Sequence, residues 1–256
     1  MRRICATAFL LGSCAALALL TSGQGPRADE AQPPPAPRFR GPVALLLNDG
    51  GNSLLAANRR SGSISVIDTG TGKVTDEFPI GKKLSGLVAV PERNLLLAAD
   101  EEAHELITIA RRGDSLEVIS RLPIAEYPVS VAIGVEGKQC YVASLWSRRL
   151  SIVDLSQFSD GELSKGLRLS KVIALPFPPR KQLLVDGGRR LIIADGFGGK
   201  LAVIDVSSGE LESVRELPAH NIRGLAVNAD GSRLLIAHQI LNSLARTTPD
   251  DVHWGM

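Results

Sequence analysis

A short apolar phrase returns five times along this chain. LLAAN at Leu54–Asn58 comes back as LLAAD at Leu96–Asp100, YVAS at Tyr141–Ser144, IIAD at Ile192–Asp195 and LIAH at Leu235–His238. The last Ala of each copy falls at 57, 99, 143, 194 and 237. The unit is thus about 40–50 residues long. A unit of that size cannot bury its apolar face alone and must stack on its neighbours, which restricts the chain to a repeat architecture.

One unit shows the grammar. From Gly86, Leu87–Val90 is a short apolar run, Pro91–Asn94 a turn and Leu95–Ala99 a second apolar run. Leu106–Ile109 and Leu116–Ile119 then alternate on either side of a turn at Arg111–Asp114. Short runs bounded by Gly, Pro, Asn and Asp predict antiparallel strands joined by hairpins. The first turn recurs as NDGGNS at Asn48–Ser53, VEGK at Val135–Lys138, DGGRR at Asp186–Arg190 and NADGSR at Asn228–Arg233. Asp-Gly and Gly-Gly accept the positive φ of tight hairpins. The third strand recurs as ISVID (Ile64–Asp68), LSIVD (Leu150–Asp154) and LAVID (Leu201–Asp205). An Asp in that place accepts hydrogen bonds from its own turn, so its recurrence at each corner assigns it to structure rather than chemistry. The first two strands of each unit are apolar on both faces and the later ones alternate, as in a blade whose outer edge meets water. No core segment sustains a 3.6-residue period. The fold class read from these features is all-β: a β-propeller of four-stranded antiparallel blades, with about four to five blades present over 41–238.

These units resemble the YVTN-type β-propeller repeats, relatives of WD-repeat and quinoprotein propellers. YVAS at Tyr141–Ser144 is close to the family's name motif, and Val66-Ile67-Asp68 and Val203-Ile204-Asp205 resemble its third strand. The resemblance covers nearly all of Gly41–His238. It implies a fold and leaves the activity open, because such propellers host many unrelated tasks. Rings of this type usually close with seven blades, so the chain reads as a fragment of a seven-bladed ring, with a small irregular five-bladed ring that recruits Gly41–Leu47 for closure as the alternative.

The ends read differently from the core. Arg2 and Arg3 followed by apolar Ala6–Leu20 and Thr21-Ser22-Gly23 predict a secretory signal peptide over 1–23, too short and too poorly flanked for a membrane span. The expected location is therefore exported, periplasmic or at the cell surface. A lipoprotein box at Leu11–Cys14 is the lesser alternative. Residues 24–40, with Pro33-Pro34-Pro35 and Pro37, read as a flexible leader. Residues 239–256 lack strand grammar and read as an irregular, truncated tail. The stretch around Ala237–Gly255 resembles a passage in exported propeller–cytochrome c fusion proteins. That resemblance implies a cytochrome domain as partner. A c-type haem needs Cys-x-x-Cys-His, and no cysteine here has that setting. No cofactor is expected within the chain; if haem c belongs to this protein, it lies in sequence beyond Met256.

Several classes are set aside. With 29 Lys and Arg against 27 Asp and Glu there is no basic stripe for nucleic acid. The Arg pairs at 59–60, 111–112, 148–149 and 189–190 fall in predicted turns. Past the signal only Cys140 remains, in an apolar strand that predicts an inert buried thiol. Gly196-Phe197-Gly198-Gly199 is not followed by a helix, so it is no dinucleotide fingerprint, and a Gly-x-Ser-x-Gly elbow is missing from the chain.

Propeller geometry narrows the search for a site. Loops between second and third strands and links between blades open on one face, the channel mouth. The first set brings Asn58, Arg59, Asp100, His104, Ser144, Trp146, Arg148, Asp195, Phe197 and His238. The second brings Lys82, Lys83, Tyr127, Arg180, Lys181, His220 and Arg223. The binding residues expected there are Asn58, Asp100, Ser144, Trp146, Arg180, Asp195, His220, Arg223 and His238. His220, His238 and Asp195 together would offer a metal or acid–base group. Asp100-Glu101-Glu102 would offer a cation loop. For each, solvated loop residues are the plainer reading, and neither a catalytic residue nor a metal site is assigned. Arg180, after Pro176–Pro179, would aim a guanidinium at a carboxylate. The function expected is an exported binding or scaffold module that presents this face to a protein partner or a cytochrome domain. The alternatives are a propeller enzyme, lactonase-like or amine-oxidising, and a cell-surface adhesion protein.

Overall fold

The structure, a computed structural model, describes residues 39–47, 50–113, 115–156 and 167–239. The signal peptide with Cys14, all of the leader but Phe39 and Arg40, and the tail from 240 onward lie outside the described residues.

Four blades follow one another along the chain. The first is β1 (Pro42–Leu47), β2 (Ser53–Asn58), β3 (Ser63–Asp68) and β4 (Val74–Pro79). The second is β5 (Leu84–Ala89), β6 (Leu95–Asp100), β7 (Glu105–Arg112) and β8 (Ser115–Pro123). The third is β9 (Pro128–Ile133), β10 (Gln139–Ser144), β11 (Arg149–Asp154) and β12 (Arg168–Ala174). The fourth is β13 (Pro179–Val185), β14 (Arg190–Asp195), β15 (Lys200–Asp205) and β16 (Glu210–Glu216). A fifth begins with β17 (His220–Val227) and β18 (Leu234–Gln239). Each full blade is a four-stranded antiparallel meander in chain order, and β17 pairs β18. The described residues thus form a β-propeller of four blades and two strands of a fifth.

The corners form as the turn chemistry requires. Asp68 Oδ1 accepts from the Thr71 amide and hydroxyl, both at 2.7 Å. Asp154 accepts from the Ser156 amide, and Asp205 from the Ser207 hydroxyl and the Ser208 amide. These bonds pull the carboxyls down, Asp205 to about 2. The Arg pair 111–112 departs from the expected turn. Arg111 pairs with Leu116 and Arg112 with Ser115, so both arginines belong to β7, which runs to Arg112.

Cores lie between blades, not within them. Ile64, Leu84, Leu96, Ile107 and Ile109 join the first and second blades. Leu97, Leu106, Val142 and Val153 join the second and third. Tyr141, Leu150, Leu191, Ile193 and Ile204 join the third and fourth. Ala194, Leu201 and Ile222 begin the next. Each fully buried Leu or Ile contributes about 1.5–3 kcal/mol.

Burial corrects one sequence expectation. The second and third strands are the most buried, while the innermost strand is only half buried, as in β9 against β10. The innermost strand borders the channel rather than another sheet. β1 adds a further asymmetry. Ala44 and Leu46 pack on the first interblade core, while Leu45 and Leu47 on the other face stay 63% and 58% exposed.

Every innermost strand also carries an irregularity near its start. Pairing skips one residue between Pro42 and Ala44, Leu84 and Gly86, Pro128 and Ser130, and Pro179 and Lys181. The skipped residues are Val43, Ser85, Val129 and Arg180. In β17 the break spans His220 to Gly224 and includes Arg223. Neighbouring innermost strands pack side by side from β1 through β17. These positions therefore form one course around the axis, at the mouth end. Among the described residues no helix is long and apolar enough to cross a membrane.

Candidate functional site

The sequence candidates separate into two groups. Asn58, Asp100, Ser144 and Asp195 all close the second strand of their blade, and all four are buried. Their polar atoms serve the corner below the mouth. Asn58 Nδ2 donates to Ser63 Oγ (3.2 Å) and Ser65 Oγ (2.8 Å). Ser144 Oγ donates to the Ala125 carbonyl at 2.8 Å, and Asp195 Oδ1 accepts from the Phe197 amide at 3.0 Å. Asp100 is the most committed. Its Oδ2 accepts from Lys82 N at 2.6 Å, and its Oδ1 from the amides of Lys83, Glu102 and Ala103 at 3.1, 3.0 and 3.0 Å. Burial raises the Asp100 carboxyl, but the four amides together outweigh it and hold it below the ordinary value.

The second group faces solvent. Trp146 and Phe197 come from equivalent loops of the third and fourth blades. Their rings stack at 5.4 Å and 28°, and they are 57% and 48% exposed. Tyr127 is exposed too, its amide bonded to His104 Nδ1 at 3.1 Å and its ring edge-on to the imidazole at 4.9 Å. His220 and His238 are exposed, and His238 Nδ1 lies 3.1 Å from the Gln239 carbonyl. Among the described residues no group of three or more His, Cys, Asp or Glu could hold a metal ion. That applies to His220, His238 and Asp195 and equally to the acidic loop. There Glu101 is turned onto Arg59 and onto Lys83 Nζ at 3.3 Å.

Arg180 sits between these groups. It is part-buried on the innermost strand, and its Nε is buried with no acceptor within reach. Burial first, then the like charges of Arg223 and Arg59, hold its guanidinium below the ordinary value, with Glu101 acting in the opposite sense. Those charges belong to the fifth, first and second blades, so the guanidinium points across the axis. Asp195 pairs with neighbouring Pro179, but it is held by its own loop. Gly196 makes the close approach possible: a Cβ there would lie 3.4 Å from Arg180 Cβ and 3.1 Å from Leu145 Cδ1. Leu145 and Gly196 precede Trp146 and Phe197, so the arginine and the aromatic pair are continuous. Asn221, in the left-handed region at φ 51, leaves a buried Oδ1 without a partner in the same quarter.

Two concavities lie away from the aromatic pair. One of about 670 Å³ lies on the rim between the first and second blades, around Lys82, Asp100, Glu102, Glu105 and Arg121. A larger one of about 760 Å³ opens at the opposite end, between the third and fourth blades. Of its three carboxylates, Asp154 and Asp205 are committed to their own corners and Glu136 is paired with Lys138 at 2.7 Å. Tyr141, also in its lining, donates to Gln139 Oε1 at 2.6 Å, and burial pushes its hydroxyl up to about 12. Cys140 is fully buried, and burial pushes its thiol up.

No protein-family model and no curated protein matches the chain. Solved structures do. The Kuenenia stuttgartiensis hydrazine synthase aligns over 82% of this chain and 59% of its own, at 19% identity and a TM-score of 0.69. The Pseudomonas aeruginosa periplasmic gluconolactonase aligns over 77% and 63%, at 17% identity and 0.65. The Cps50 (Swd1) β-propeller domain of Myceliophteria thermophila aligns over 83% and 69%, at 15% identity and 0.61. At such identities the likeness is one of fold, and the chain spans less than two thirds of the first two.

Proposed function

We propose that this chain is an exported β-propeller binding module that presents its channel-mouth face to a partner protein. The observation that carries the reading is the stacked, exposed Trp146–Phe197 pair. Large aromatics left together in water are the usual anchor of a contact surface. Nothing in the blade fold requires them at those loop tips. Export rests on the N-terminal pattern of the sequence. A c-type cytochrome domain is the partner class implied by the resemblance of the tail, and any haem would come with that partner. Lactone opening, the activity in the gluconolactonase's name, is the second reading and rests on likeness of fold alone.

Site-specific photo-cross-linking tests the reading. A benzophenone side chain is placed at Trp146, or at Val135 on the opposite end, in the full chain within its source cells. A discrete adduct from position 146, absent from 135 and weakened by Phe197→Ala, is the expected result. Equal adducts from both ends, or none from 146, would overturn it.

A further inference from the structure

The channel mouth carries charge that the fold does not use. Arg180 and Arg223 hold matching places in consecutive innermost strands, where the first three blades carry Val43, Ser85 and Val129. An apolar or small residue therefore satisfies the blade. Ser85 shows what a structural residue does there: its Oγ donates to the Ala99 and Pro128 carbonyls. The arginines make no such bond. Neither has an ion pair among the described residues, and Arg180 Nε is buried without an acceptor.

The next course outward is mixed. The residues following the second strands are Arg59, Glu101, Leu145 and Gly196, each donating its amide to a link carbonyl, as Glu101 does to Lys83 and Gly196 to Pro178. The two oxygens of Glu101 face Arg59 and Lys83. The charges that act on Arg180 are those of Arg223 and Arg59 against the single carboxylate of Glu101, so positive charge is in excess around its guanidinium.

We propose that Arg180 and Arg223, with Arg59 across the axis, seat the carboxylate of an organic ligand whose body rests on Trp146 and Phe197. A guanidinium fork matches a carboxylate in geometry and charge. The part-burial of Arg180 strengthens the pairing on its side. The aromatic pair, joined to Arg180 through Gly196, selects an organic acid over an inorganic anion. This rests on the reading of that face as the binding face, and it names the chemistry the face takes.

Benzoate is the probe, with methyl benzoate as its neutral counterpart and inorganic phosphate as the bare anion, all at fixed ionic strength. Tryptophan fluorescence of the full chain carrying Trp254→Phe reports Trp146 alone. Saturable quenching by benzoate is expected. Methyl benzoate and phosphate should bind about tenfold or more weakly. Arg180→Gln should weaken benzoate by roughly ten- to a hundredfold and leave methyl benzoate unchanged. Arg180→Lys, keeping charge without the fork, should fall between. Arg223→Gln, at an exposed position, gives a second variant that spares the core. Benzoate binding no tighter than methyl benzoate, phosphate matching benzoate, or indifference to both glutamine variants would overturn the proposal. Adding benzoate during cross-linking at position 146 distinguishes the sources. Loss of the adduct means that the partner supplies the carboxylate, and an unchanged adduct means a small molecule; both keep the seat. Benzoate binding without any adduct would remove only the docking reading.

Discussion

Replacing Asp100 with alanine removes the acceptor of four backbone amides at once. The carboxylate is fully buried and holds Lys82 N on one oxygen and the amides of Lys83, Glu102 and Ala103 on the other. Each buried donor left unpaired costs about 1–3 kcal/mol. With local opening letting water reach about half of them, the loss is about 2–6 kcal/mol. Asp100→Asn is milder. It keeps an oxygen for Lys83, Glu102 and Ala103 but turns an NH2 onto Lys82 N, for about 1.5–3 kcal/mol. Urea unfolding of the full chain, followed by circular dichroism, should rank wild type above Asp100→Asn and that above Asp100→Ala. At about 2–4 °C per kcal/mol for a domain of this size, the alanine variant should melt roughly 4–24 °C lower. A loss within about 0.5 kcal/mol of zero, the range of ordinary surface changes, would refute this role for the carboxylate.

Further outcomes follow from the same structure. The carboxyls of Asp68, Asp100, Asp154 and Asp205 all lie below their ordinary values when folded. Their contribution should be whole above about pH 4 and fade as the pH falls through the lowered values, near 2 for Asp205. A stability profile from pH 7 to 2 that improves on acidification would contradict this. Cys140 should resist a thiol reagent in the native protein and react once urea unfolds it; native labelling at the unfolded rate would show an open strand. Leu45→Lys with Leu47→Lys should lower self-association in sedimentation, because these side chains leave an apolar face of β1 in water. An unchanged distribution would mean that this face does not drive association.

The blades were legible because their signals are local and repeated. A single Asp closing ISVID is ambiguous, but the same Asp before TGTGK and VSSGE is a corner, and the hydrogen bonds place it so. Asn58, Asp100, Ser144 and Asp195 recur in the same way. They end successive copies of the echo, and that recurrence was the available sign that they turn inward. Sequence reasoning placed them on the mouth because it sees which loop a residue enters, not which way the side chain faces. Burial of the innermost strand was overestimated for a related reason: an apolar run does not reveal that its neighbour is a channel. Arg180 and Arg223 were singled out, but not their equivalence, which appears when PVA, LSG, PVS, PRK and IRG at the starts of the units are set in register. Glu101 and Asn221 were not singled out at the mouth. Glu101 looked like one more acid in an acidic loop, and only the positions of Arg59 and Lys83 give it a partner.

The measurement that tests the working face most directly is oxidative footprinting of Trp146 and Phe197, in intact source cells and in the purified full chain. The account expects both rings to be oxidised readily in the pure protein and shielded in the cell, while Val135 at the opposite end is equally accessible in both. Equal oxidation of Trp146 and Phe197 in the two settings would mean that nothing covers the channel mouth, and the reading of that face as the docking surface would fall.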